Sequence, residues 1–179
     1  MSRLKAFLTF LLLAIIAAGI FGIIHDQISY TVSSEYFTRF KFRQFGLLDP
    51  DIPERIRAGI VGFLASWWMG IPLGLLSGIG GFLQRSPELM RRALLSSLPL
   101  IVSFSLLFAL GGLVYGYFQT TTFDLGTYGG WFIPEGLEEP RRFLCAGYMH
   151  NAAYLGGALS IPVAWLFHLY FRLRNKESS

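Results

Sequence analysis

Four stretches of this chain, residues 6–24, 58–83, 93–117 and 149–171, contain no Asp, Glu, Lys or Arg. A bilayer core about 30 Å thick is crossed by roughly 20 helical residues at about 1.5 Å each, so every one of these runs is long enough to span. Because lipid offers backbone amides no hydrogen-bond partner, such runs must close their bonds internally as α-helices. The expectation is an all-α membrane protein: a four-helix transmembrane bundle with interfacial segments in its outer connections. Residues 1–179 then form a single integral membrane domain. Composition agrees, since 53% of residues are hydrophobic and 15% charged, a balance a soluble domain of this size rarely shows.

The first run also resembles a secretory signal peptide, with Arg3 and Lys5 ahead of it and Ala17, Ala18 and Gly19 near its end. Its length favours an uncleaved span. Cys145 is the single cysteine, which excludes an intrachain disulfide and a thiolate zinc cluster.

Sidedness follows from the basic residues flanking the short segments. Arg3 and Lys5, then Arg85, Arg91 and Arg92, then Arg172, Arg174 and Lys176 all belong on the inner side. Both termini are thus expected in the cytoplasm, and the location is a cell (inner) membrane. Asp124, Glu135, Glu138 and Glu139 mark the connection after the third run as external. The net charge of +4 is accounted for by this topology, and nucleic acid is set aside as a partner.

In the first connection Tyr30, Tyr36, Phe37, Phe40, Phe42 and Phe45 alternate with Arg39, Lys41 and Arg43, a mixture suited to lying along the headgroups. Asp51 to Glu54 reads as a capping box opening the second helix. That helix carries Gly70, Gly74 and Gly78 at four-residue spacing, a groove for close helix packing in a homo-oligomer or against a membrane-protein partner. His168 falls near the inner boundary, where an interfacial role is expected. Ion-coupled transport is disfavoured, since no span holds a charged residue at mid-depth.

The end of the first run and the start of the fourth meet at the outer boundary. Counting about 20 residues back from Arg172 puts His150 and Asn151 near the level of His25. Asp26 and Glu35 belong to the same layer. Two imidazoles and two carboxylates are the donor types for a zinc, iron or copper ion, with His25, Asp26, Glu35 and His150 as candidate ligands. Asn151 and Tyr154 would hydrogen-bond to those ligands, Tyr154 lying one helical turn beyond His150. No HExxH, carboxylate-x-x-His or CxxC spacing is present, and the simpler account is a set of boundary polar groups bonded to one another and to water.

The run His25-Asp26-Gln27, with Glu35-Tyr36-Phe37-Thr38 downstream, resembles a pattern of small bacterial multi-pass membrane proteins of unassigned function. A later helix in that group carries a His followed by a Tyr and small residues, similar to His150, Tyr154 and Gly156. The resemblance covers most of the chain in layout and rests on these short stretches. It implies a bacterial membrane setting, points to His25, Asp26, Glu35 and His150, and supplies no reaction.

Three functions compete. The first is a small inner-membrane protein with a metal-binding polar site at its outer face. The second is a structural or accessory subunit of a membrane complex that works through its glycine groove. The third is an interfacial enzyme acting on a lipid or quinone with His150 as acid or base, for which no nucleophile or oxyanion donor can be named.

Overall fold

The computed structural model describes residues 2–122 and 125–175. Asp124 and Lys176, used above for sidedness, lie outside the described residues. Four helices are long and apolar enough to cross a membrane: α1 (Arg3–Val32), α2 (Glu54–Leu83), α3 (Pro87–Gln119) and α4 (Pro140–Arg174). No strand occurs among the described residues, and the fold is the expected all-α four-helix bundle.

Each helix begins or ends for a local reason. Ser2 caps α1 by accepting from Lys5 N, and Ser86 caps α3 by accepting from Leu89 N, with Pro87 in the first turn. The turn between α2 and α3 is therefore only Gln84 to Ser86, and Arg91 and Arg92 sit inside α3, both paired with Glu88. In α2, Pro72 cannot donate to the Trp68 carbonyl one turn back, and the helix tightens to a 3-10 turn over Trp67–Met69. The capping box expected at Asp51 does not form. Asp49 accepts from Asp51 N instead, α2 starts at Glu54, and Glu54 takes the Tyr30 hydroxyl.

Exposed Leu4, Leu8, Leu12, Ile16 and Ile20 run at four-residue spacing along α1, a row that suits lipid. Its opposite face is small. Gly22 of α1 meets Gly62 of α2 backbone to backbone, and Gly112 and Gly116 of α3 lie against Tyr148 of α4. Helices in lipid gain little from apolar burial against each other, so close approach through glycine supplies the van der Waals contact that holds them.

The glycine groove has a different occupant from the one expected. Gly70 faces the backbone of Ala14 and Ile15, Gly74 faces Ala14 and Leu11, and Gly78 faces Phe7 and Phe10. The chain's own α1 fills it. The first connection also departs from the headgroup-lying segment expected. It forms a π-helical turn, Tyr36–Lys41, that folds over the bundle, and Tyr36, Phe37 and Phe42 are buried against Ala58, Val61, Phe143 and Ala146.

The two ends of the bundle are tied differently. At one end Arg3 donates to the carbonyls of Gln84 (2.8 Å) and Arg85 (3.0 Å), and Arg172 donates to Leu83 O (2.6 Å). Two guanidinium groups thus satisfy carbonyls that the end of α2 leaves open. At the other end Gln27 of α1 donates to Arg55 O of α2 (2.8 Å), Tyr36, Phe37 and Phe42 of the first connection pack over the helices, and Trp131 of the second lies against Gly147.

Candidate metal centre

Helix α1 does not stop where its apolar run stops but continues two turns to Val32. Its buried face, Gly19, Gly22, His25, Asp26 and Ser29, follows helical spacing, so His25 and Asp26 turn into the bundle. On α4 the buried face Phe143, Ala146, Gly147 and His150 meets them. His25, Asp26 and His150 are 4%, 3% and 7% exposed, so all three are withdrawn from solvent.

One ligand atom from each of these residues lies within 4.8 Å of the others. The imidazole rings meet edge to face, with centroids 4.6 Å apart. His25 Nδ1 is 2.9 Å from Asp26 Oδ1 and hydrogen-bonds to it. His150 Nδ1 is 2.9 Å from Ala146 O, and since a carbonyl only accepts, this nitrogen carries the hydrogen. The other nitrogen, Nε2, stands 3.2 Å from Asp26 Oδ1, near enough for an ion pair but out of line for a hydrogen bond. His25 Nε2 and Asp26 Oδ2 are buried with no hydrogen-bond partner among the described residues.

The π-helical turn covers this cluster. Tyr36 stacks 4.7 Å from the His150 ring and 5.0 Å from Phe143, and Phe37 lies 6.3 Å from His150. Burial, reinforced by the negative charge of Asp26, pushes the Tyr36 phenol well above its ordinary range, which keeps it a neutral cover and not a phenolate ligand. Lys41 is buried beside it, with its amine 3.0 Å from Gln44 Oε1 and 4.8 Å from the Phe40 ring centroid. Burial lowers the Lys41 pKa, and Asp26 opposes that shift.

The remaining expected site residues lie elsewhere. Glu35 does not join the cluster: its two carboxylate oxygens accept from Glu138 N (2.9 Å) and Glu139 N (2.8 Å). Glu139 has no side-chain cap of its own at the start of α4, so Glu35 supplies the cap from far along the chain and places its charge at the positive end of the helix. Glu35→Ala should therefore lower thermal stability in detergent, by about 1–2 kcal/mol, without changing metal content. A parallel loss of metal would return Glu35 to the ligand set. Asn151 is exposed and faces away. Tyr154 stands at the rim of a cavity beside the cluster, and no hydrogen bond joins it to His150, whose Nδ1 is taken by Ala146.

Two other residues can be placed. Cys145 is buried beside Thr120, with Sγ 3.6 Å from Oγ1, as a small filler. His168 is wholly buried under Gly80, packed inside the bundle near the α2–α3 turn, and its carbonyl accepts from Gln84 Nε2 at 2.9 Å. The cover formed by Tyr36, Phe37 and Lys41 was missed in the sequence, because a mixed aromatic and basic segment has the same composition whether it faces headgroups or protein. No protein-family model matches the chain, and neither curated proteins nor solved structures match it.

Proposed function

We propose that this is a small integral protein of a bacterial inner membrane that holds one transition-metal ion, zinc, iron or copper, between His25, Asp26 and His150. The observation that carries the reading is the 3.2 Å approach of His150 Nε2 to Asp26 Oδ1. With the hydrogen on Nδ1 and the imidazole neutral, the Nε2 lone pair lies off the line to the carboxylate oxygen, and a metal ion bound by both atoms sits off that line, whereas a shared proton would lie on it. Ligand bonds of about 2.0–2.2 Å in tetrahedral array leave ligand atoms roughly 3.3 Å apart, which suits this edge. Three protein donors leave one position free, the arrangement of a reactive site more than of a closed structural one.

The placement at the outer, periplasmic face is supported by the basic residues at the opposite end, among them Arg3, Arg85, Arg91, Arg92, Arg172 and Arg174. Both chain termini are then cytoplasmic. The accessory-subunit reading loses its main support, because α1 fills the glycine groove on which it rested.

Elemental analysis of protein purified without chelators tests the reading. A stoichiometric transition metal is expected in the wild type and none in the His25→Ala, His150→Ala double variant. Since protons compete with the metal for its ligand atoms, acidification should release the metal. A wild type free of zinc, iron and copper sinks the proposal.

A further inference from the structure

The cluster has two sides, and they differ. Toward the connections it is closed by Tyr36, whose ring lies 5.0 Å from Phe143, and by Phe37. Toward the middle of the bundle it opens into a cavity of about 90 Å³ to which all four helices contribute. Tyr36 and Phe37 are absent from the walls of this cavity, while His25, Asp26 and His150 form its polar end.

The walls are mostly apolar, with large side chains such as Phe10, Phe21, Leu73 and Ile101 among alanines. Ala14, Ala17 and Ala18 of α1 face Ala65 of α2 and Ala153 of α4, and the space runs down α1 from His25 as far as Phe10. At about 1.5 Å per residue the α1 side of the lining extends over roughly 22 Å. Narrow apolar walls of this kind give water too few partners to be held in place, whereas an extended alkyl or isoprenoid chain finds contact along its whole length. Tyr154 at the rim is nearly half exposed to the surface that faces lipid, so the slot is reached from the membrane.

We infer, resting on the metal reading above, that the centre is addressed from within the bilayer by a single-tailed amphiphile whose uncharged oxygen head, a hydroxyl or carbonyl, takes the free metal position while its tail fills the alanine slot. Geometry selects the head. Asp26 Oδ2, buried with no hydrogen-bond partner among the described residues, ends the slot and repels an anionic head, so the head is a small neutral oxygen group. A phosphate would find no arginine in the lining, and Lys41 is engaged with Gln44. Two sources share this chemistry, fatty alcohols or related acyl lipids and isoprenoid quinones.

Hexadecanol and decylubiquinone distinguish the sources. Each is titrated into the full-length, metal-loaded protein in detergent micelles, with bound probe read by native mass spectrometry and metal content measured on the same sample. One of the two should bind saturably at one per chain, and the one that does names the source. Ala17→Leu and, separately, Ala65→Leu fill the slot from different helices, and each should weaken binding at least ten-fold with metal content unchanged. Wild-type protein that carries metal but binds neither probe overturns the inference alone, as does a filled variant that keeps both its metal and wild-type affinity. Metal-free wild type that still takes up a probe overturns the metal reading and leaves the slot standing.

Discussion

Asp26→Asn should abolish stoichiometric metal binding, lowering affinity at least about 100-fold, and in metal-free protein it should leave stability unchanged or raised. The first part follows from removing the only carboxylate in the cluster, a larger change than the 10–100-fold cost of losing a group that merely orients a ligand. The second part has the opposite sign from ordinary intuition about a buried ion pair. If the cation between His150 and Asp26 were a proton, the pair would be an imidazolium and a carboxylate, and neutralising one member would destabilise the protein by about 3–5 kcal/mol. If it is a metal, the metal-free wild type buries a carboxylate 3.2 Å from a neutral imidazole with no cation to compensate it, and an amide in its place removes that buried charge. Thermal unfolding of both proteins with and without a chelator reads the difference. A large loss of stability in the Asn variant after chelation of both proteins would assign the gap to a proton and remove the metal.

How much of this was legible in the sequence depends on whether a partner could be counted along one helix. The four spans were, because uncharged runs of sufficient length need no tertiary information. The common depth of His25 and His150 was also legible, since it requires only helical rise from two boundaries. The end of α1 was not. Hydropathy stops at Ile24 because His25 and Asp26 are polar, yet the helix carries them inward and continues to Val32. A buried Asp and a terminal Asp look alike until the opposing helix is known. Glu35 was misplaced for a related reason: its partners are the backbone amides of Glu138 and Glu139, and no residue type announces a free amide. With Gly70, Gly74 and Gly78 the close packing was readable, but not whether the neighbour belonged to the same chain. The slot had a signal that went unread, Ala14, Ala17 and Ala18 lining one helical face on the path to His25.

The contact that sets the site is the crossing of α1 and α2, and Gly62→Ala should therefore cost more than its single methyl suggests. A methyl at Gly62 would overlap the Gly22 carbonyl and come within 3.0 Å of Asp26 Cβ. Neither neighbour is the flexible tip of a side chain, so the backbones must part. Overpacking of a well-filled interior costs about 1–3 kcal/mol, and here the strain falls at the root of a proposed metal ligand. Thermal stability in detergent and metal affinity should drop together, and Gly62→Leu should fail to fold. Gly59→Ala, one turn earlier on the same helix, is the control. Its methyl would meet only Gln27 Nε2 at 3.4 Å and Ile23 Cγ2 at 3.7 Å, ordinary contacts, and alanine favours a helix by about 0.5–1 kcal/mol over glycine. That variant should be as stable as the wild type or more so, with its metal retained. If Gly62→Ala matched Gly59→Ala in both measurements, the glycine crossing would not be what holds Asp26 against His150.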